Sequence, residues 1–135
     1  MIATMTEVTL TAENGRTLML RRLTSPDDES IWTYEATLAI PGGAVATVIY
    51  DHGPWLAGYF REVADAWQGF DDTKSFSSLE GQLTMDARHD GLGTVYCAVR
   101  LGQPWPPEWH VSAVLDLGAG AHLEHLADEI EGFLG

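Results

Sequence analysis

The chain has 135 residues, of which 45% are hydrophobic and 10% aromatic. That length and composition point to a single folded domain spanning residues 1–135 and argue against a disordered or low-complexity chain. Twenty acids against seven bases give a formal charge of −13, which argues against nucleic acid and anionic membrane as partners and favours a basic protein. The same charge would also serve solubility or a saline habitat. No apolar run approaches the ~20 residues of a membrane span. Residues 1–10 lack a basic segment followed by an apolar one, so no cleaved signal is expected. The lone Cys97 allows no intrachain disulfide, in keeping with a cytoplasmic location.

In chain order, residues 7–12 alternate as a strand. Asn14-Gly15 marks a turn, and residues 17–23 return in a register that the pattern leaves open. Residues 25–29 form a polar connection. Trp32, Tyr34, Ala36, Leu38 and Ile40 alternate with Thr33, Glu35, Thr37 and Ala39, a clear strand. Pro41-Gly42 suits the centre of a type II turn. Residues 44–50 are almost continuously apolar, which predicts a central strand covered on both faces.

After Asp51-His52-Gly53-Pro54, the spacing of Trp55, Leu56, Tyr59, Phe60, Val63, Ala66 and Trp67 predicts a helix to about residue 68. Gly69 is its expected C-terminal stop. Burial of Trp55, Phe60 and Trp67 is expected to stabilise by about 1.5–3 kcal/mol each, before ordering costs. Residues 71–77 read as an acidic loop.

Residues 78–101 carry the clearest pattern and predict one long hairpin. Leu79, Gly81, Leu83, Met85 and Ala87 form one apolar row, and Val95, Cys97, Val99 and Leu101 the other. A two-residue Asp90-Gly91 turn would place the rows on opposite faces. An odd-length loop, His89-Asp90-Gly91 with Gly91 at positive φ, places them together, with Glu80 and Arg100 exposed. Two consecutive prolines, Pro106-Pro107, break the regular structure that follows. Val111, Ala113, Leu115 and Leu117 then alternate in a seventh strand. Leu123, Leu126, Ala127, Ile130, Phe133 and Leu134 stripe a terminal helix. The order is four strands, helix, three strands, helix. Short connections then predict an α+β fold, with one curved, mainly antiparallel sheet of about seven strands covered by two helices.

Candidate chemistry is sparse. His122 and His125 lie near Glu124, Asp128 and Glu129, yet His-Glu-x-x-His and further ligands at a metal spacing are missing. Arg88-His89-Asp90 and Asp51-His52 lack a nucleophile, since Cys97 faces the core in this register. Gly42-Gly43 and Gly118-x-Gly120 do not form a phosphate loop. The chain therefore carries no recognisable catalytic residue, metal site or cofactor site. Trp109 is expected to close the core, and Trp105 fits either core or interface.

One family resemblance emerges from these residues. Leu56, Tyr59, Phe60, Val63, Ala64, Trp67 and Gly69, then Ser78-Leu79-Glu80-Gly81-x-Leu83, match its pattern. So do Asp90-Gly91-x-Gly93-x-Val95, Trp109, Leu123-x-x-Leu126-Ala127 and Phe133-Leu134. Over residues 56–134, the chain resembles a family of small, mostly uncharacterised bacterial proteins related to the WapI-type immunity proteins. No functional residue carries over, because the shared positions are structural. The resemblance implies a role in binding and neutralising a polymorphic toxin in the cytoplasm.

The leading expectation is a non-enzymatic binding protein, monomeric or weakly dimeric, whose partner is a basic protein such as a toxin domain encoded nearby. Its contact residues would be Glu62, Asp65, Asp71 and Asp72, with Trp105 as an apolar anchor. The alternative is a small enzyme or ligand-binding domain with a pocket between sheet and helices, to which Tyr34, His52 and His89 would contribute. A scaffolding domain without a toxin partner is the third reading.

Overall fold

The computed structural model describes residues 7–23, 32–51 and 55–134, without the side chains of Trp32 and Leu134. The expected strand connection at residues 25–29, along with His52, Gly53 and Pro54, lies outside the described residues. Strands β1 (Glu7–Thr11), β2 (Thr17–Arg22), β3 (Trp32–Ile40) and β4 (Gly43–Asp51) precede helix α1 (Trp55–Asp65). Strands β5 (Lys74–Ser77), β6 (Leu83–His89), β7 (Thr94–Gln103) and β8 (Trp109–Gly118) precede helix α2 (Ala121–Leu134). The protein is thus a sheet-rich α+β fold.

The strands form two antiparallel four-stranded sheets, ordered β1-β2-β3-β4 and β5-β6-β7-β8. The expected single sheet of about seven strands is therefore incorrect, and so is the expected order. Each sheet is a meander of short connections, and α1 interrupts the chain between them, so no hairpin joins β4 to β5. The eighth strand, β5, lies inside the segment read as an acidic loop. Only Phe76 is buried there, and one apolar position shows no periodicity. β4 is likewise not central: it is the outer strand of its sheet, with Val48 36% and Tyr50 41% exposed. Apolar side chains on its outward face produced the continuous run.

The apolar rows of both sheets and both helices enter one core cluster. Val8, Leu10, Leu18, Leu20, Tyr34, Ala36 and Leu38 line the first sheet's inner face. Phe76, Leu83, Met85, Ala87, Val95, Cys97, Val99, Leu101, Leu115 and Leu117 line the second. The helices pack on each other, α2 also touches β1 and β8, and α1 touches β5. Asn14, a turn residue by sequence, also locks the sheets together. Its backbone N–H donates to Asp116 Oδ1 at 2.8 Å, and its side-chain amide to the Val114 carbonyl at 3.0 Å. At the first sheet's inner face, the buried Tyr34 hydroxyl donates to Asp51 Oδ2 at 2.9 Å. Burial, and then Asp51, hold that phenol well above its ordinary value.

The central hairpin keeps its parity. Leu83 pairs with Leu101, Met85 with Val99 and Ala87 with Cys97, and all six are buried. Glu80 and Arg100 are exposed. The turn sits slightly further along than expected: Asp90 N–H bonds the Thr94 carbonyl at 3.0 Å, leaving Gly91-Leu92-Gly93 at the tip. Gly91 has φ +77°, a region that costs a residue with Cβ about 1–2 kcal/mol. The hairpin is shorter than expected at its start. Residues 78–82 are a turn, closed by Gly81 N–H to the Ser78 carbonyl at 3.1 Å and Leu83 N–H to Ser78 Oγ at 3.2 Å. Leu79 is 39% exposed rather than in the apolar row, and its N–H bonds the Tyr50 carbonyl across to β4. At the far end of β7, Gly102 lies against β8 so closely that a Cβ there would stand 2.1 Å from the Trp109 carbonyl oxygen. Only glycine fits that crossing.

Candidate functional site

The site begins on the outward side of α1. Leu56, Ala57, Tyr59, Phe60, Val63 and Ala64 are buried. Their spacing leaves Trp55, Gly58, Glu62 and Asp65 on the opposite stripe, all exposed. Trp55 is 55% and Trp67 51% exposed, which corrects the expectation that both are core residues. Phe60, at 1% exposure, does anchor the helix.

Beyond α1 the chain turns through residues 66–73 before entering β5. Asp71 and Asp72 are exposed there. Lys74 organises the approach: its Nζ lies 3.1 Å from Glu62 Oε1 and 5.2 Å from the Phe70 ring centroid. On the other side His89 braces the loop. Its Nε2 lies 2.8 Å from the Trp67 carbonyl oxygen, and its Nδ1 accepts the Gly91 N–H at 2.8 Å. The proton that bonds Trp67 therefore sits on Nε2. The ring also packs edge-on to Phe70, with centroids 5.7 Å apart. Residues Gln68 to Asp71 and His89 to Gly91 line an open hollow of about 470 Å³.

Asp90 is occupied within its own turn. Its Oδ1 accepts from Leu92 N–H at 2.6 Å and Thr94 N–H at 3.1 Å. Those two backbone bonds hold the carboxyl below its ordinary value. With His89 also bonded through both ring nitrogens, His89 and Asp90 form a structural brace in this arrangement. Cys97 is buried in the core, and burial pushes its thiol up to about 12, far from the thiolate that a nucleophile requires.

The expected contact residues fall into two groups. Glu62, Asp65, Asp71 and Asp72 gather around the end of α1 and the loop after it. Glu62 pairs with Lys74, while among the described residues no cation pairs with Asp65, Asp71 or Asp72. Trp105, 42% exposed, is not with them. It lies in the β7–β8 connection, next to the end of the sheet where Leu83 pairs with Leu101. The acids lie next to the end where Lys74 pairs with Ala87. Trp109, expected in the core, is 37% exposed, because it starts β8 at the rim rather than inside it.

α2 carries as many acids but uses them differently. Arg61 reaches from α1 to Asp128 at 2.5 Å and to Glu131 at 2.8 Å. These partners hold its guanidinium above its ordinary value. His125 Nε2 lies 2.5 Å from Glu129 Oε1. His122 Nδ1 accepts the Gly118 N–H at 3.1 Å, so the two histidines point to separate structural partners. Among the described residues no three His, Cys, Asp or Glu side chains gather in a metal-holding group. Tyr34 and His89 do not converge either: one is buried against Asp51 and the other braces the surface loop.

That Glu62 and Asp65 share the outward face of α1 is legible from helical spacing, whereas the exposure of Trp55 is not. The role of Lys74 is not, because its pairing depends on β5 lying beside α1. Among the described residues no helix is long and apolar enough to cross a membrane.

Comparison with curated proteins and with solved structures finds no match. A family model does match residues 9–135, and nothing in it links the chain to the WapI-type immunity proteins. With nearly its whole length inside that match, the chain belongs to DUF6228, a family of unknown function.

Proposed function

We propose that this chain is a non-enzymatic binding protein that engages a basic protein partner through the end of α1 and the 66–73 loop. In its finer form the proposal is a cytoplasmic immunity role, in which the partner is a toxin domain encoded nearby and direct contact neutralises it. One observation carries the choice of surface. Asp65, Asp71 and Asp72 stand exposed without a cation among the described residues, whereas the acids of α2 are largely occupied by Arg61 and His125. Unpaired surface carboxylates steer a basic partner into encounter, and apolar anchors then carry affinity. Trp55 and Trp67 flank this surface and are half-exposed.

The test is co-expression with the toxin domain encoded next to this chain, together with association rates on the purified pair. Wild type rescues growth, and its on-rate falls with salt, because the screening length shortens to about 8 Å at physiological ionic strength. Reversal of Glu62, Asp65, Asp71 and Asp72 to lysine slows association by about tenfold or more and leaves the fold intact. If reversal at Glu124, Asp128 and Glu129 slows association and the first reversal does not, the surface is on α2. If no encoded neighbour binds, the immunity role is wrong.

A further inference from the structure

Among the described residues, the second sheet ends in an outer strand whose backbone is open. β5 is four residues long and borders only β6. Ser78 N–H bonds the Leu83 carbonyl at 2.9 Å, and this pair continues the β5–β6 register. Along an antiparallel ladder, residues alternate between those bonded to the partner strand and those whose backbone groups face away. Lys74 and Phe76 therefore bond β6, and the N–H and C=O groups of Ser75 and Ser77 point outward. Two of the other outer strands, β8 and β4, are closed in part. On β8, the Val114 carbonyl accepts from Asn14 and Arg16, and the Asp116 carbonyl from the Glu13 N–H. On β4, the Tyr50 carbonyl accepts from Leu79. Exposed edges of this kind are templates for another strand.

A groove runs along the open edge. Trp55, Gly58, Tyr59 and Glu62 of α1 line one side, and Ser75 to Ser77 the other, around an open volume of about 460 Å³. Above Gly58 the space is clear: among the described residues, nothing beyond its chain neighbours and its own helix backbone lies within 4 Å of where a Cβ would stand. Glu62 marks one end, its side chain 63% exposed despite the Lys74 pair.

We infer that this groove seats an added strand: an extended segment of the basic partner, with apolar and basic residues alternating. The segment bonds the outward backbone groups of Ser75 and Ser77 and extends the sheet to five strands. Its inward apolar side chains cover Trp55 and Gly58, and a lysine or arginine meets Glu62. Asp65, Asp71 and Asp72, next along α1 and the loop, favour that charge sign and disfavour an acidic segment. Main-chain bonds supply affinity in this recognition mode, and the alternating side chains supply selectivity. The inference rests on the binding role proposed above and adds the secondary structure of what is bound.

The experiment uses the full chain and two peptides. One is acetyl-Val-Lys-Val-Arg-Val-Lys-amide. The other is the same peptide N-methylated at every residue, which keeps the charge but has no backbone donor on either edge for a ladder. Amide exchange and chemical shifts are read by NMR. The first peptide slows exchange at the Ser75 and Ser77 amides by about tenfold, and the methylated one binds about tenfold more weakly. Ser77→Pro removes one outward donor without touching the β6 ladder, so it weakens binding while the melting temperature holds. Equal binding of both peptides, with the two amides unchanged, overturns strand addition and leaves the charged surface standing. Binding of neither peptide, alongside salt-dependent binding of a basic protein, also overturns the groove alone. Failure of every basic partner overturns the binding role with it.

Discussion

Helix α2 carries four acids, as do α1 and the loop after it taken together, with opposite consequences. On α2, Asp128 and Glu131 are held by Arg61, and Glu129 lies against His125. At the end of α1 and in the loop beyond, among the described residues only Glu62 has a cation, Lys74. The difference follows from packing. α1 and α2 lie side by side, so Arg61 extends from one onto the other, and those carboxylates join the helices. Among the described residues no such cation reaches the 66–73 loop, and Asp71 and Asp72 stay unpaired. Acidic composition alone is therefore a poor guide to an interface, and the count that matters is of carboxylates left over after internal pairing. Exposed pairs contribute little to stability singly, but each one cancels a charge that would otherwise steer a partner.

The comparison is broken outright by removing the packing beneath it. Phe60, buried between the helices and the sheets, seats α1. Phe60→Ala is expected to destabilise by about 3–5 kcal/mol, measured by denaturant unfolding, and to abolish the difference between the two surfaces. A loss below ~1 kcal/mol would mean that α1 is seated by other contacts.

A smaller effect is expected at the brace. His89→Ala removes the bonds to Trp67 and Gly91 and the Phe70 contact. A loss of about 1–3 kcal/mol is expected, with faster amide exchange in residues 66–73 and in the 90–94 turn and none in α2. Equal acceleration in α2 would show that the two acidic regions are not independent.

Arg61→Gln sharpens the comparison from the other side. It lowers the melting temperature modestly and frees Asp128 and Glu131, so a basic partner acquires a second, weaker encounter surface. The on-rate of the four-site reversal at Glu62, Asp65, Asp71 and Asp72 is then partly restored. If Arg61→Gln leaves that rate unchanged, α2 is silent even when unpaired.

The smallest effect is expected in acid. The folded-state carboxyl of Asp90 lies below its ordinary value because Leu92 and Thr94 donate to it. Its contribution is present above the unfolded value of about 3.9, and is lost as pH falls below that toward the lower folded value. Thermal melts of wild type and Asp90→Asn should therefore differ at neutral pH and converge below about pH 4. A constant gap across that range would mean that Asp90 stabilises the turn without its charge.

Much of this molecule is legible in the sequence alone. Alternation locates β1, β3, β6, β7 and β8, the turns at Asn14-Gly15 and Pro41-Gly42 place β2 and β4 as return strands, and helical spacing locates α1 and α2, because a strand or helix facing one core repeats its apolar residues with its own period. Parity alone puts Met85 and Cys97 on one face, since a one-residue slip would reverse every side chain. The apolar run of residues 44–50 misleads, because the outward face of an outer strand can also be apolar. Residues 74–77 are unreadable, because a four-residue strand with one buried side chain has no period. The number of sheets, the open edge of β5 and the division of acids into paired and unpaired are decided only by the tertiary structure. Each depends on residues distant in sequence, such as Arg61 with Asp128 or Asn14 with Asp116. Periodicity records which way a side chain faces, and it holds no information about which distant partner waits there.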